Sequence, residues 1–384
     1  MPTVSLDYGR KTNLMTDPRL TKWANTLAQY SLAIQPGEQV LIRADEAGIP
    51  LAKELYRAAL EAGAHPHVQV LIDGLDEIFL TTASDTQLGW VSPIKKFEYE
   101  TIDVLCAIVA PTNTSALAGV ATGKQTQMQS ASGTIRKPFF SRAAQGKTRW
   151  NLTLYPTPAA AQNAKMSLAN YEEFLLQAMF LDKDDPAAAW KEFSANQQRY
   201  VDYLNGVQSV RLVARDTDIT LGVAGRTWVN SDGHKNFPSG EIFTGPVENS
   251  VNGVVRFTFP TAHLGHEVDD VKLTFENGRV VNAEAARGLD FLTAMLDSDA
   301  GARILGEVAI GNNYGVQQFT RNTLYDEKIG GTFHLALGNS YPETGGTNLS
   351  AVHWDMVCDM RPDAGGGAIY ADGTLIHENG AWVI

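Results

Sequence analysis

Apolar residues recur along the first two hundred positions with two alternating periods. Leu20, Trp23, Leu27 and Tyr30 are spaced 3, 4 and 3 apart, one stripe of a helix, and Asp17-Pro18 ahead of them supplies a cap residue and a proline at the first helical position. Pro36-Gly37 breaks the pattern, and Gln39–Arg43 reads as a strand. Pro50 opens a helix with Leu51, Leu55, Ala58 and Ala62 on one side and Gly63 at its end; Val68–Ile72 is the next strand. Ile102–Val109 is almost continuously apolar, which suits a strand covered on both faces of a parallel sheet. Asn151–Tyr155 is a further strand and Leu168–Leu181 a helix. Asp184-Asp185-Pro186 starts another helix holding Trp190, Phe193 and Tyr200. This alternation predicts an open α/β sheet domain over residues 1–205.

From Val207 the period shortens. Val210–Arg215, Asp218–Gly222, Val254–Phe259, Val271–Glu276, Arg279–Glu284, Gly306–Ile310, Gly331–Leu337, Val352–Met356 and Ala368–Tyr370 read as short strands, with one helix at Phe291–Leu296. Asn277-Gly278 is the strongest hairpin dipeptide in the chain. Residues 206–384 therefore read as a second, mostly antiparallel α+β domain, with the boundary near Tyr203–Gly206. The 384 residues alone leave two or three domains open, and the change of period favours two.

Charge narrows the function. Against 43 acidic residues stand 31 basic ones, a net −12, which argues against a nucleic-acid binder. No apolar run approaches the ~20 residues of a membrane span, and the first residues, MPTVSLDYGRKTN, lack the apolar core of a secretory signal. Cys106 and Cys358 lie in apolar runs, form no C-x-x-C pair and read as buried free thiols, in keeping with a cytoplasmic protein. Gly119–Lys124 (GVATGK) resembles a phosphate loop but is one residue short between its glycines and has no Ser or Thr after the lysine. Any metal site must then be built from His, Asp and Glu.

Those residues are unevenly spread: six of the eight histidines follow residue 230. In the strand Val352–Met356, His353 and Asp355 point to one face and Trp354 and Met356 to the other. His334 interrupts an apolar strand. Glu241, after Pro238-Ser239-Gly240, and Glu307, after Gly306, each head a strand that turns apolar at once. A carboxylate there is costly to bury unless paired or bound to metal, although for each one alone a solvated strand end is the simpler account. Two imidazoles and three carboxylates suit Zn²⁺, Co²⁺ or Mn²⁺ and exceed the needs of one tetrahedral ion. Two ions roughly 3.5–4 Å apart would use all five.

The stretches SDGHKNFPSGEIFTGPVENSVNG, GEVAIGNN, FHLALGNSYP and SAVHWDMV, with YSLAIQPGEQVLI and the IDVLCAIVAPTNT region earlier, resemble in order the blocks of the thermophilic-type metallo-aminopeptidases, the aminopeptidase T and aminopeptidase S family. The resemblance implies an enzyme that removes N-terminal residues from short peptides with two divalent ions. It implies metal ligands at Glu241, Glu307, His334, His353 and Asp355, a catalytic role for Glu307 as bridge or proton acceptor, and a catalytic tyrosine at Tyr341. It also implies a homodimer. The segment between Tyr341 and His353 is shorter than the family pattern. Glu248, in P-V-E-N-S, is a further candidate, to hold the substrate's ammonium; an exposed loop carboxylate is the alternative. His234, His263 and His266 are expected at the surface or supporting the site, and His65, His67 and His377 as structural. Two competing readings remain at this point: a catalytically silent, metal-stabilised peptide-binding protein, and another two-metal amidase or esterase.

Overall fold

Strands β1 (Gln39–Asp45), β2 (His65–Leu71), β3 (Val104–Val109) and β4 (Arg149–Leu154) pair in parallel in the order β2-β1-β3-β4. This is a computed structural model, and it describes residues 17–263 and 265–384; the N-terminal stretch read above for a targeting signal lies outside them. The apolar run at β3 is covered on both sides. Val104, Cys106 and Ile108 join a core with the helices Pro18–Thr26, Ile49–Glu61, Leu168–Ala178 and Pro186–Leu204. Leu105 packs with Leu41, Ile102 and Phe139 on the opposite face, where Phe139 comes from the long helix Thr122–Ala144.

Local signals start these helices as expected. The Asp17 carboxylate accepts from the N–H of Arg19, and that of Asp185 from the N–H of Ala188, each ahead of a proline. The helix Thr122–Ala144 has no such cap, carries Gly133 and Pro138 inside it, and buries Ile135 and Phe139 without forming an apolar stripe. That is why periodicity overlooks it. Strand β2 begins three residues earlier than its apolar run. It is an edge strand, and His65 and His67 are exposed on it.

The second half supplies β5 (Ser209–Ala214), β6 (Thr217–Gly222), β7 (Val229–Ser231), β8 (Asn236–Phe237), β9 (Glu241–Thr244), β10 (Asn252–Arg256), β11 (Thr261–His263) and β12 (His266–Val268). After these come β13 (Lys272–Glu276), β14 (Arg279–Glu284), β15 (Leu305–Gly311), β16 (Thr332–Gly338), β17 (His353–Asp359), β18 (Gly367–Ala371), β19 (Thr374–Glu378) and β20 (Ala381–Trp382). Eight form an antiparallel sheet, β14-β13-β10-β6-β5-β18-β19-β20, and five another, β17-β16-β15-β9-β7. Their inner faces share one core, with Leu212, Ile219, Leu273 and Phe275 from the larger sheet and Val308, Ile310, Leu335 and Trp354 from the smaller. The β13–β14 hairpin turns on Asn277 and Gly278, both at positive φ (50° and 82°). One strand crosses over: β8 adds in parallel to β4 and so extends the first-half sheet. Cys106 and Cys358 are buried and free, and no helix among the described residues is long and apolar enough to cross a membrane.

His377 on β19 is fully buried, stands edge-on to Trp382 (5.5 Å between centroids), and neither ring nitrogen has a hydrogen-bond partner. Burial pulls its pKa down from 6.5 to about 4. The unfolded chain therefore binds a proton below pH 6.5 that the native state refuses. Its contribution to stability is intact above that pH and is lost as pH falls toward 4, up to about 3 kcal/mol. His377→Leu should flatten this part of the pH–stability curve, read from urea midpoints between pH 7.5 and 4.5. An unchanged slope would show that His377 is not the group responsible.

Candidate metal centre

Strand register gathers the five polar residues. Glu307 on β15 faces Ala336 on β16, which faces Asp355 on β17. One pair along, Ala309 faces His334; beyond it Gly311 faces Glu241 on β9; at the other end Gly338 faces His353. Side chains alternate along a strand, so all five emerge on one face of the sheet. Ile242, Val308, Ile310, Leu335, Leu337, Trp354 and Met356 emerge on the other, into the core. Each of the five faces an alanine or glycine across at least one ladder, which leaves open volume between the ligand atoms. Gly240 makes the entry to β9 possible: its φ is +125°, and a Cβ there would lie 2.6 Å from that of Asn313.

The donor atoms converge closely. Nε2 of His334 is 3.5 Å from Glu241 Oε2, 3.5 Å from Glu307 Oε1 and 3.9 Å from Asp355 Oδ1. Nε2 of His353 is 3.4 Å from Glu307 Oε2 and 3.5 Å from Asp355 Oδ1. Glu307 thus turns one oxygen toward each imidazole. Three groupings have donor atoms within 4.8 Å of one another: Glu241–Glu307–His334, Glu307–His353–Asp355 and Glu327–His334–Asp355. Both ring nitrogens of His334 and Oε2 of Glu241 are buried and have no hydrogen-bond partner. Buried polar atoms are rarely left so.

The electrostatics follow from crowding anions and imidazoles away from water. Burial opposes charge on His334, but Glu307 and Glu241 beside it outweigh that and push its pKa up to about 9. His353, next to Asp355 and Glu307, is pushed up to about 12 in the same way. Burial raises Glu307 and Asp355, and the two histidines more than reverse it, holding both carboxyls below the usual range. Burial, with Glu307 and Asp355 nearby, holds the Tyr341 phenol far above its ordinary value, so it remains a proton donor.

Surrounding groups fix these side chains. Nδ1 of His353 is 2.9 Å from the Asn339 carbonyl, so it carries a proton, and Nε2, toward Glu307 and Asp355, is the nitrogen that would give up its proton to hold a cation. Gln197, buried on the helix Pro186–Leu204, donates to the Glu241 carbonyl at 2.9 Å and ties the first-half helices to the site. Tyr341 packs edge-on against His353 and Phe243, 5.1 and 5.5 Å between centroids. A cavity of about 980 Å³ opens over the cluster. Glu241, Glu307, Glu327, His353, Asp355 and Tyr341 line it, together with Phe140, Ala144 and Trp150 of the first half.

Glu248 is not brought to the cluster. Its carboxylate accepts from Arg226 at 2.5 Å and from the N–H and hydroxyl of Thr347 at 2.7 and 2.8 Å, and it does not line the cavity. An anion already neutralised in this way is not free to hold an ammonium group, which corrects that expectation. His263 stacks on Trp354 and His266 on Phe291, both outside the three groupings. His234, bonded to Asp232 at 2.7 Å, reaches the cavity wall. Sequence reasoning missed Glu327 and its neighbour Lys328. Lys328 Nζ lies 2.5 Å from Glu241 Oε1 and 2.5 Å from Glu327 Oε1, with 1% of its side chain exposed. In sequence an adjacent Glu-Lys looks like solvated surface, and only the buried run after it hints otherwise.

Comparison with known proteins gives three concordant results. A family model described as thermophilic metalloprotease (M29) matches residues 16–382. Aminopeptidase 2 of Geobacillus stearothermophilus is 31% identical over 386 positions, covering 89% of this chain and 92% of that protein. The solved structure of wild-type AmpT from Thermus thermophilus matches with a TM-score of 0.82 at 25% identity, over 96% of this chain and all of that one. The 2,5-dihydroxypyridine dioxygenase of Pseudomonas putida KT2440 has a TM-score of 0.56 at 14% identity, over 95% of this chain and 96% of its own; it shares the fold alone.

Proposed function

We propose, on the premise that this chain belongs to the thermophilic metalloprotease (M29) family, that it is a two-metal aminopeptidase acting on short peptides. The observation that carries the proposal is the pair of ligand triads, Glu241–Glu307–His334 and Glu307–His353–Asp355, meeting at Glu307 on one sheet face. The residues fit divalent ions on three further grounds. Imidazole with carboxylate suits zinc, cobalt or manganese. His334 and Glu241 carry buried polar atoms without partners. Alanines and glycines between the ligands leave room. When bound, such a pair of ions supplies a hydroxide nucleophile at neutral pH and polarises the scissile carbonyl.

The chain's own groups do the rest. Glu307, with one oxygen toward each triad, holds the two positions in register. Asn339 keeps His353 in one tautomer. Tyr341 keeps its proton and donates a hydrogen bond to the oxyanion that develops on the peptide carbonyl. The cavity has room for several residues, and its aromatic lining, Phe140 and Trp150, offers apolar contact to the peptide chain. The same proposal carries a homodimer in the cytoplasm. Trp90, Ile94 and Phe97 are each more than 60% exposed, apolar surface that a second copy would cover, and both thiols are free.

Dialysis against a chelator should lower release of free amino acid from a dipeptide at least a hundredfold, and Co²⁺ or Zn²⁺ should restore it. The N-acetylated dipeptide should remain intact. Full activity after chelation would sink the metal assignment. Equal cleavage of the blocked peptide would favour a general amidase, and no release under any condition a silent binding protein.

A further inference from the structure

Lys328 puts an ammonium group among the ligands. A buried ammonium must be matched by carboxylates, and here two of them share it: Glu241 Oε1 and Glu327 Oε1, each 2.5 Å from Nζ. The backbone holds it in place, its N–H donating to the Tyr325 carbonyl and its own carbonyl accepting from Asn313, both at 3.0 Å. The two triads are therefore unequal. Glu241 has one oxygen given to Lys328 and only Oε2 free toward His334. The other triad contains no atom held by a lysine: Glu307 Oε2 and Asp355 Oδ1 both face His353.

We infer that Lys328 makes the Glu241–Glu307–His334 position the weaker ion site, filled only after the Glu307–His353–Asp355 position. This rests on the two-ion reading proposed above. Charge gives the sign. With its carboxylates ionised and both imidazoles neutral, the forms that would hold ions, the cluster carries four negative charges from Glu241, Glu307, Glu327 and Asp355 and one positive charge from Lys328. One dication leaves it at minus one, and a second drives it to plus one. Without the lysine the same steps end at minus two and at zero. Each ion enters an environment less negative by one charge because of Lys328, but the ion at the Glu241 position meets that charge at closest range, through the carboxylate whose other oxygen Lys328 holds, and at low effective dielectric. Lys328 is a positioning residue: it acts on the ions through Glu241 and Glu327.

Titration of chelator-stripped protein with Mn²⁺ by calorimetry tests this. Wild type should bind in two steps, the second at least tenfold weaker. In Lys328→Met the second step should tighten at least tenfold while the first moves less than threefold, and Lys328→Arg should keep the weak second step. An unchanged or weaker second step in Lys328→Met, or an equal shift of both steps, would overturn the inference. Should the stripped variant be too unstable to titrate, its melting temperature with and without saturating Mn²⁺ gives the answer. The ion-induced rise should exceed that of wild type, and an equal or smaller rise overturns the inference. Absence of a second step in the wild type itself would overturn the two-ion reading beneath it, a failure seen before any variant is made.

Discussion

Glu307→Gln is expected to remove nearly all turnover, lowering kcat/KM by at least about a thousandfold with the fold intact. The reason lies in the two ends of one side chain. Oε1 faces His334 at 3.5 Å and Oε2 faces His353 at 3.4 Å, so the carboxylate serves both triads. An amide of the same shape offers one oxygen and one NH₂, and the NH₂ is a donor aimed at an imidazole meant to bind a cation. Loss of an interaction shared by both ion positions is expected in kcat as well as in metal content. Three measurements check it: amino-acid release from a dipeptide, elemental analysis for bound metal, and thermal unfolding. Full activity in a folded Glu307→Gln protein would show that the assignment of Glu307 is wrong.

Tyr341→Phe should act differently. Phenylalanine keeps the edge contacts to Phe243 and His353 and removes only the hydroxyl. We expect kcat to fall by about a hundred- to a thousandfold, the range for one lost oxyanion donor. KM should change by less than about threefold, and metal content should stay as in wild type. A drop in bound metal along with activity would instead make Tyr341 a support for the centre.

Much of the candidate site was legible because its residues break local rules. Glu241, Glu307 and His334 interrupt or head apolar strands, and a charged group there needs a partner. The H-x-D spacing declared a shared face for His353 and Asp355 without any knowledge of the fold. Convergence was not legible, since β9, β15, β16 and β17 come from four separate stretches and only their register aligns the residues. Nor were Ala309, Ala336, Gly311 and Gly338 legible as part of the site, because small residues in strands carry no signal of what stands beside them. Glu327 and Lys328 were hidden by looking like each other's solvent-exposed partner. In the first half the β-α alternation was read where an apolar stripe follows the cap; the short helices Pro93–Thr101 and Pro158–Asn163, capped by Ser92 and Thr157, were not read. The helix Thr122–Ala144 has neither and was missed.

Strand β8 limits how this molecule can move. Asn236 and Phe237 pair with Leu152 and Thr153 of the first-half sheet, and after three intervening residues the chain enters β9 at Glu241. Thr153 also donates its hydroxyl hydrogen to the Phe237 carbonyl at 2.8 Å. A clamshell opening of the two halves would have to break that pairing or drag Glu241 out of its triad. The chain is stitched at the floor of its own cavity. A fragment cut near residue 206 would lose the β4 partner on which Asn236 and Phe237 are anchored, and with it the support that aims Glu241.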